Sequence, residues 1–391
     1  DTPPTAQTVD KSTFIEGGSN CMEKAKISSS QLFILMVLFE LGSALLVPLA
    51  IDAKQDAWLA ILLGMVCSFI LLLVYHKLYT YYPNLLPTEY MQRILGKVLG
   101  TVLAFIYILY FMYDASRVLR DFGEMLLTFA YADTPLFIAN ALLMLVIIYT
   151  IRKGIEVIAR SGELLFIFMY VLAIAGFILI ISSGLIQIKN LQPVLEDGLL
   201  PVLKVVFTQT LYFPFTEVIV FTMILPYLNN PKKAKVTMLC ATGLSGINLI
   251  ITMLINVCVL GVDLTARSQY PLLSTIESIQ VANFLERLDV FFMLALIITI
   301  FFKICVLFYA AVVGTASLFK IKSPSRLSYP LGLIILFLSI TIASNLQEHN
   351  HEGLKVAMLV LHIPLLMIIP PLLLLVSFLK NRKKHDGNTF D

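Results

Sequence analysis

Ten apolar runs, each near the roughly 20 residues a helix needs to cross a bilayer, constrain this chain more than any other feature. They lie near 28–51, 56–76, 98–131, 134–151, 156–184, 199–228, 235–261, 287–319, 327–344 and 354–379. Hydrocarbon offers no water to backbone N–H and C=O groups, so a buried segment must close its own hydrogen bonds, and a helix does so within itself. Composition agrees: 59% of the 391 residues are hydrophobic and 14% charged, a balance that excludes an ordinary soluble domain. The expected fold class is an all-α polytopic membrane protein with ten transmembrane helices. The net charge of +3 gives no sign of a nucleic-acid partner, and none is expected.

Lysine and arginine placement orients the spans. With the N-terminus in the cytoplasm, 19 of the 28 basic residues fall on the inner side. Outer segments hold only Lys54, Lys189, Arg267, Arg287 and Lys355, while Arg117, Arg120, Lys204 and Lys303 lie within spans. That bias predicts cytoplasmic termini at both ends. The polar start of the chain has no apolar core of a signal peptide. Met22 opens a run that reads as a natural start, so residues 1–21 are expected to be an upstream extension or a non-native addition.

With ten spans, the first and sixth enter from opposite faces, as a five-plus-five inverted repeat requires. Such folds place their sites near the midplane, where paired broken helices meet. The expected units are a polar N-terminal segment 1–27, a first five-helix repeat 28–184, an extracytoplasmic linker 185–198, a second five-helix repeat 199–379 and a basic cytoplasmic tail 380–391. The sixth run carries Phe213-Pro214-Phe215 near its middle and Glu217 just after. Proline has no N–H and its ring clashes with the carbonyl one turn earlier, so the helix must kink or break there. The freed backbone groups are then covered by packed neighbours or line a cavity. The first run has its own weak point at Glu40-Leu41-Gly42-Ser43-Ala44, followed by Pro48. Glycine there either opens the helix and turns bare N–H groups toward an anion, or packs against a neighbouring helix.

Charged residues inside apolar runs are the second signal. A charge at mid-membrane costs at least about 2.5–3.5 kcal/mol, so it faces a partner or a cavity. Asp114 lies deepest on the third span; Arg117, Asp121 and Glu124 continue its face, and Arg117 with Asp121 and Arg120 with Glu124 are spaced to pair. Lys303 of the eighth span has no acid within one turn of its own helix. Asp114 and Lys303 are therefore expected near one pocket, paired with each other or each facing one end of a small zwitterion. A buried structural ion pair is the plainer alternative. Glu217 either lines the pocket or braces the opened backbone.

No catalytic signature competes: no phosphate-binding loop, zinc-protease pair or nucleophile elbow occurs, and no cofactor is expected. The five cysteines read as small apolar residues and not as disulfides or metal ligands. The histidines are scattered, and the polar stretch 347–352 with His349 and His351 reads as a solvated outer turn.

The runs SQLFILMVLFELGSALL, DAWLAILLG, FPFTEVIVFTMILPYL and above all YPLLSTIESIQVANFLERLDVFF resemble the spore germination permeases. These are the B subunits of germinant receptors in endospore-forming bacteria, of the GerAB type, within the amino acid, polyamine and organocation transporter superfamily. The resemblance covers about 27–380. It implies a LeuT-like fold in the spore inner membrane, a small-molecule germinant such as an amino acid, sugar or nucleoside, and partner A and C subunits. By position in the family pattern it implies a pocket of Gly42, Ser43 and Ala44, Tyr110 and Asp114, Phe213, Pro214, Phe215 and Glu217, and Thr299 and Lys303. A proton-coupled amino-acid transporter, with Glu217 or Asp114 as proton carrier, is the alternative function; a scaffold with a relic pocket is a third.

Overall fold

In the computed structural model, which describes residues 26–279 and 288–387, the chain is nearly all helix. The segment 1–25 with Met22, the stretch 280–287 with Arg287, and 388–391 lie outside the described residues, as do the side chains of 288–289, 354–355 and 381–387. Seven of the described helices are long and apolar enough to cross a membrane. Three shorter apolar ones, Ser29–Leu45, Leu136–Arg152 and Leu199–Thr210, fall in the remaining expected spans.

The first span begins at a capping box. Gln31 N donates to Ser28 Oγ at 3.1 Å and Ser28 N to Gln31 Oε1 at 2.9 Å, which satisfies two N–H groups at the start of α1 (Ser29–Leu41). The helix stops at Gly42, and a short 3-10 turn over Ser43–Leu45 leads to a second at Ile51–Asp56. The following spans are α2 (Ala57–Tyr81), α4 (Lys97–Phe129), α5 (Leu136–Arg152) and α6 (Ile155–Ser182). The short amphipathic α3 (Pro87–Leu95) precedes α4.

The sixth span is discontinuous. It starts as α7 (Leu199–Val205), widens to a π turn over Val206–Thr210, loses helical structure at Leu211–Thr216 and resumes as 3-10 helix over Glu217–Met223. Proline supplies the reason: Pro214 cannot donate, and the next bonds are Thr216 N to Tyr212 O at 3.3 Å and Glu217 N to Pro214 O at 3.3 Å. The Phe213–Pro214 peptide is cis.

The second half continues with α8 (Ala234–Arg267), kinked at Gly261, the short α9 (Pro271–Glu277), α10 (Leu288–Phe319), α11 (Pro324–Thr341) and the short α12 (Leu346–His351). A π-helical stretch, Glu352–Ile368, then runs into α13 (Ile369–Gly387). Pro364 lies inside that stretch, and two tyrosines secure the carbonyls after it: Tyr107 donates to Leu365 O at 2.5 Å and Tyr75 to Leu366 O at 2.6 Å.

The two interrupted spans lie antiparallel. Ile27 N donates to Tyr227 O and Asn229 N to Ile27 O, each at 2.9 Å, which ties the start of the first to the end of the sixth. Further in, the Phe39 and Phe221 rings meet edge to face at 5.3 Å. Helix α10 crosses the centre and is buried on every face from Phe302 to Val313, so its apolar surface is spent on other helices. Helix α6 instead exposes Leu164, Ile167, Val171, Ile174 and Ile178 along one side, the pattern of a lipid-facing span. Of the cysteines, Cys258 and Cys305 are buried, Cys67 is partly buried and Cys240 is exposed.

Candidate functional site

Lys303 joins the two breaks. It projects from the buried middle of α10, fully shielded, and its Nζ donates to Glu217 Oε2 at 2.5 Å and to Ser43 Oγ at 3.0 Å. Its ammonium also lies 5.1 Å from the Phe39 ring centre and 4.9 Å from that of Phe213. One cation from the eighth span thus holds the first 3-10 turn, the resumption of the sixth span and an aromatic from each. Gly42 makes this possible, because a Cβ there would sit 2.7 Å from Lys303 Cδ and 2.9 Å from its Cβ. The glycine's missing side chain is the channel for the lysine stem.

This corrects the expectation for Lys303: its ion-pair partner is Glu217 and not Asp114. Asp114 is also buried on α4, but its Oδ2 has no hydrogen-bond partner among the described residues. It borders a cavity of about 60 Å³ lined by Ser43, Val47, Asp114, Arg117, Val118, Asp121, Phe213, Glu217, Asn350, Gly353, Met358 and His362. The cavity therefore opens between both breaks, with carboxylates on two sides. Arg117 presents a second unpartnered buried atom, Nη1.

A polar layer closes one end. Arg120 pairs with Glu124 at 2.7 Å as expected, and also donates to Ser339 O at 3.3 Å and Ile340 O at 3.2 Å near the end of α11. The expected Arg117–Asp121 pair is replaced. Arg117 donates to His349 O at 2.6 Å, and Asp121 takes the His349 ring at 2.7 Å. His349 is wholly buried, so this part of the expected solvated turn is a packed lid contact. The reason is spatial: α12 folds down onto the polar face of α4, a juxtaposition that spacing along one helix does not reveal.

Of the eleven expected site residues, Ser43, Asp114, Phe213 and Glu217 line the cavity, and Lys303 and Gly42 stand directly behind them. Ala44, Pro214 and Phe215 are buried in the turns that shape the breaks but do not line it. Thr299 lies one turn before Lys303 with its hydroxyl bonded to Leu296 O at 2.8 Å. Tyr110 is buried edge-on against His362, ring centres 5.6 Å apart, and its hydroxyl has no partner among the described residues. Sequence reasoning missed His362, though the rule applied to Asp114 and Lys303 covers it equally: an ionisable group inside an apolar run. Arg117, read from the sequence only as spaced to pair with Asp121, lines the cavity.

A larger cavity of about 270 Å³ lies beside the first break, lined among others by Leu41, Leu45, Tyr170, Phe177, Asn248 and Phe292. Its lining is apolar apart from a few groups such as Asn248, which donates to Tyr170 Oη at 2.7 Å.

Residues 26–347 match the family described as Spore germination protein (Spore_permease). The chain is 55% identical over 364 residues to Spore germination protein KB of Bacillus subtilis (strain 168), covering 93% of this chain and 98% of that one. It is 28% identical over 365 residues to Spore germination protein YndE of the same organism, covering 92% and 98%. Among solved structures, MhsT in complex with L-phenylalanine superposes with a TM-score of 0.68 at 15% identity, covering 91% of this chain and 99% of that one. Mhp1, a nucleobase-cation-symport transporter with bromovinylhydantoin bound, gives 0.58 at 12% identity, covering 85% and 75%. Both are LeuT-fold transporters, so the discontinuous first and sixth helices are features of a fold this chain shares. The chain is an integral multi-pass membrane protein and belongs to the spore germination permease family.

Proposed function

We propose that this chain is the germinant-sensing membrane subunit of a spore germinant receptor. A small nutrient molecule binds in the cavity between the two breaks, and its binding drives a change that triggers germination. The observation that carries this reading is the joint placement of Lys303 and the cavity. One cation clamps both interrupted spans, and unpartnered charged atoms of Asp114 and Arg117 face the space beside it. A ligand that engages Glu217 or Ser43 competes with Lys303 for the same groups, so it favours one arrangement of the two halves over another. The shift is limited to the ligand's differential affinity for those arrangements.

In this reading the chain sits in the spore inner membrane with both termini in the cytoplasm. It works in a complex with separate A and C subunits that carry the response onward. The expected repeats, 28–184 and 199–379, are the bodies that move against each other. Binding of candidate germinants to the purified chain in lipid nanodiscs tests it. Wild-type protein is expected to bind a germinant saturably, and Gly42→Leu, which displaces the Lys303 stem, to lose that binding. Equal binding by both would remove this cavity as the seat of recognition.

A further inference from the structure

We infer that Asp114, Glu217 and His362 together hold one monovalent cation. The inference rests on reading their cavity as the recognition site. One donor atom from each residue, a carboxylate oxygen or an imidazole nitrogen, lies within 4.8 Å of the other two. Three points so spread share a centre no more than about 2.8 Å from each (4.8 Å divided by √3). Ammonium-to-carboxylate hydrogen bonds, at roughly 2.7–2.9 Å, span that distance without any movement. Bonds to zinc or magnesium, at roughly 2.0–2.1 Å, suit a tighter cluster, so the charge balance decides between the two kinds of ion.

Two further observations point to a missing partner. Asp114 and His362 are only 5% and 6% exposed, yet Asp114 Oδ2 and His362 Nδ1 have no hydrogen-bond partner among the described residues. The charges also fail to cancel. Asp114, Asp121 and Glu217 face Arg117 across the cavity, with Lys303 against Glu217 from behind and the His349 ring on Asp121; counted with that imidazole neutral, three acids meet two bases. One negative charge is left over at a depth where an uncompensated charge is costly. A single positive charge with three contacts completes the site. It comes either from the ammonium head of the recognised molecule, which carries three donors, or from a free alkali ion.

The test is thermal unfolding of the full chain in nanodiscs titrated with methylammonium, sodium, potassium, magnesium or zinc chloride. Tetramethylammonium chloride at equal ionic strength serves as control, since it has no N–H donor. A cation that binds the folded state raises Tm saturably. The expected result is a saturable rise above the control with methylammonium or with an alkali chloride, the responding salt identifying the source. The rise should weaken at least tenfold in midpoint in Asp114→Asn and in His362→Phe. No rise above the control in wild type, an unaltered rise in Asp114→Asn, or a response to magnesium or zinc chloride alone would each overturn the inference. Spores bearing Asp114→Asn separate it from the recognition reading. Normal germination alongside a real cation effect sinks recognition and leaves the cation site. Altered germination without any cation effect does the reverse.

Discussion

Lys303 and Glu217 are each costly in a membrane interior, and each is tolerated because of the other. Removing one partner of a buried pair leaves the other uncompensated, a loss of about 3–5 kcal/mol, whereas replacing both with apolar groups of similar shape is often near neutral. Lys303→Met and Glu217→Gln are therefore expected to lower Tm sharply as single changes and much less together. A thermal-unfolding double-mutant cycle measures this, and additive losses would show that the two do not act as a pair. The presence of a buried partner for Lys303 was legible in the sequence from the absence of any acid one turn away. Its identity was not, because Asp114 and Glu217 are equivalent as isolated carboxylates. Only the path of the lysine stem over Gly42 decides between them.

At the scale of elements, both interruptions fall where proline, glycine and serine interrupt apolar runs, and an apolar helix lies in each expected span, with limits that shift at some ends, as in Leu346–Lys380 for the tenth. The manner of each break was hidden. Nothing local announces the π turn Val206–Thr210, which is set by packing of Thr210 on α2: its hydroxyl donates to Ala60 O at 2.9 Å. Gly64 admits that contact, since a Cβ there would lie 2.3 Å from Thr210 Oγ1 and 3.0 Å from its carbonyl carbon. Gly64→Val is expected to destabilise the protein by about 1–3 kcal/mol through overpacking. It should also weaken the response to germinant, because the strain bears on the segment leading into Pro214. The tyrosine bonds to the π-helical stretch make a milder prediction. Tyr107→Phe leaves a buried carbonyl without its donor and should cost about 1–3 kcal/mol in thermal unfolding, with Tyr75→Phe similar. A change of neither would mean those carbonyls find other donors.

For the whole molecule, shared fold and shared activity separate. MhsT and Mhp1 are transporters, and their likeness to this chain at 15% and 12% identity concerns architecture alone. In the receptor reading, Lys303 holds the breaks together and no proton or solute needs to cross. Proteoliposomes containing the chain alone are therefore expected to show no pH-gradient-driven accumulation of labelled amino acid; substantial accumulation would favour the transporter alternative. The sensing cavity itself is tested most directly by germination dose–response in spores carrying Asp114→Val or Lys303→Thr. The account predicts that half-maximal germinant concentration or germinant preference shifts by about tenfold or more, equivalent to about 1.4 kcal/mol, when strains are compared at matched receptor abundance. Superimposable curves at normal abundance would contradict it.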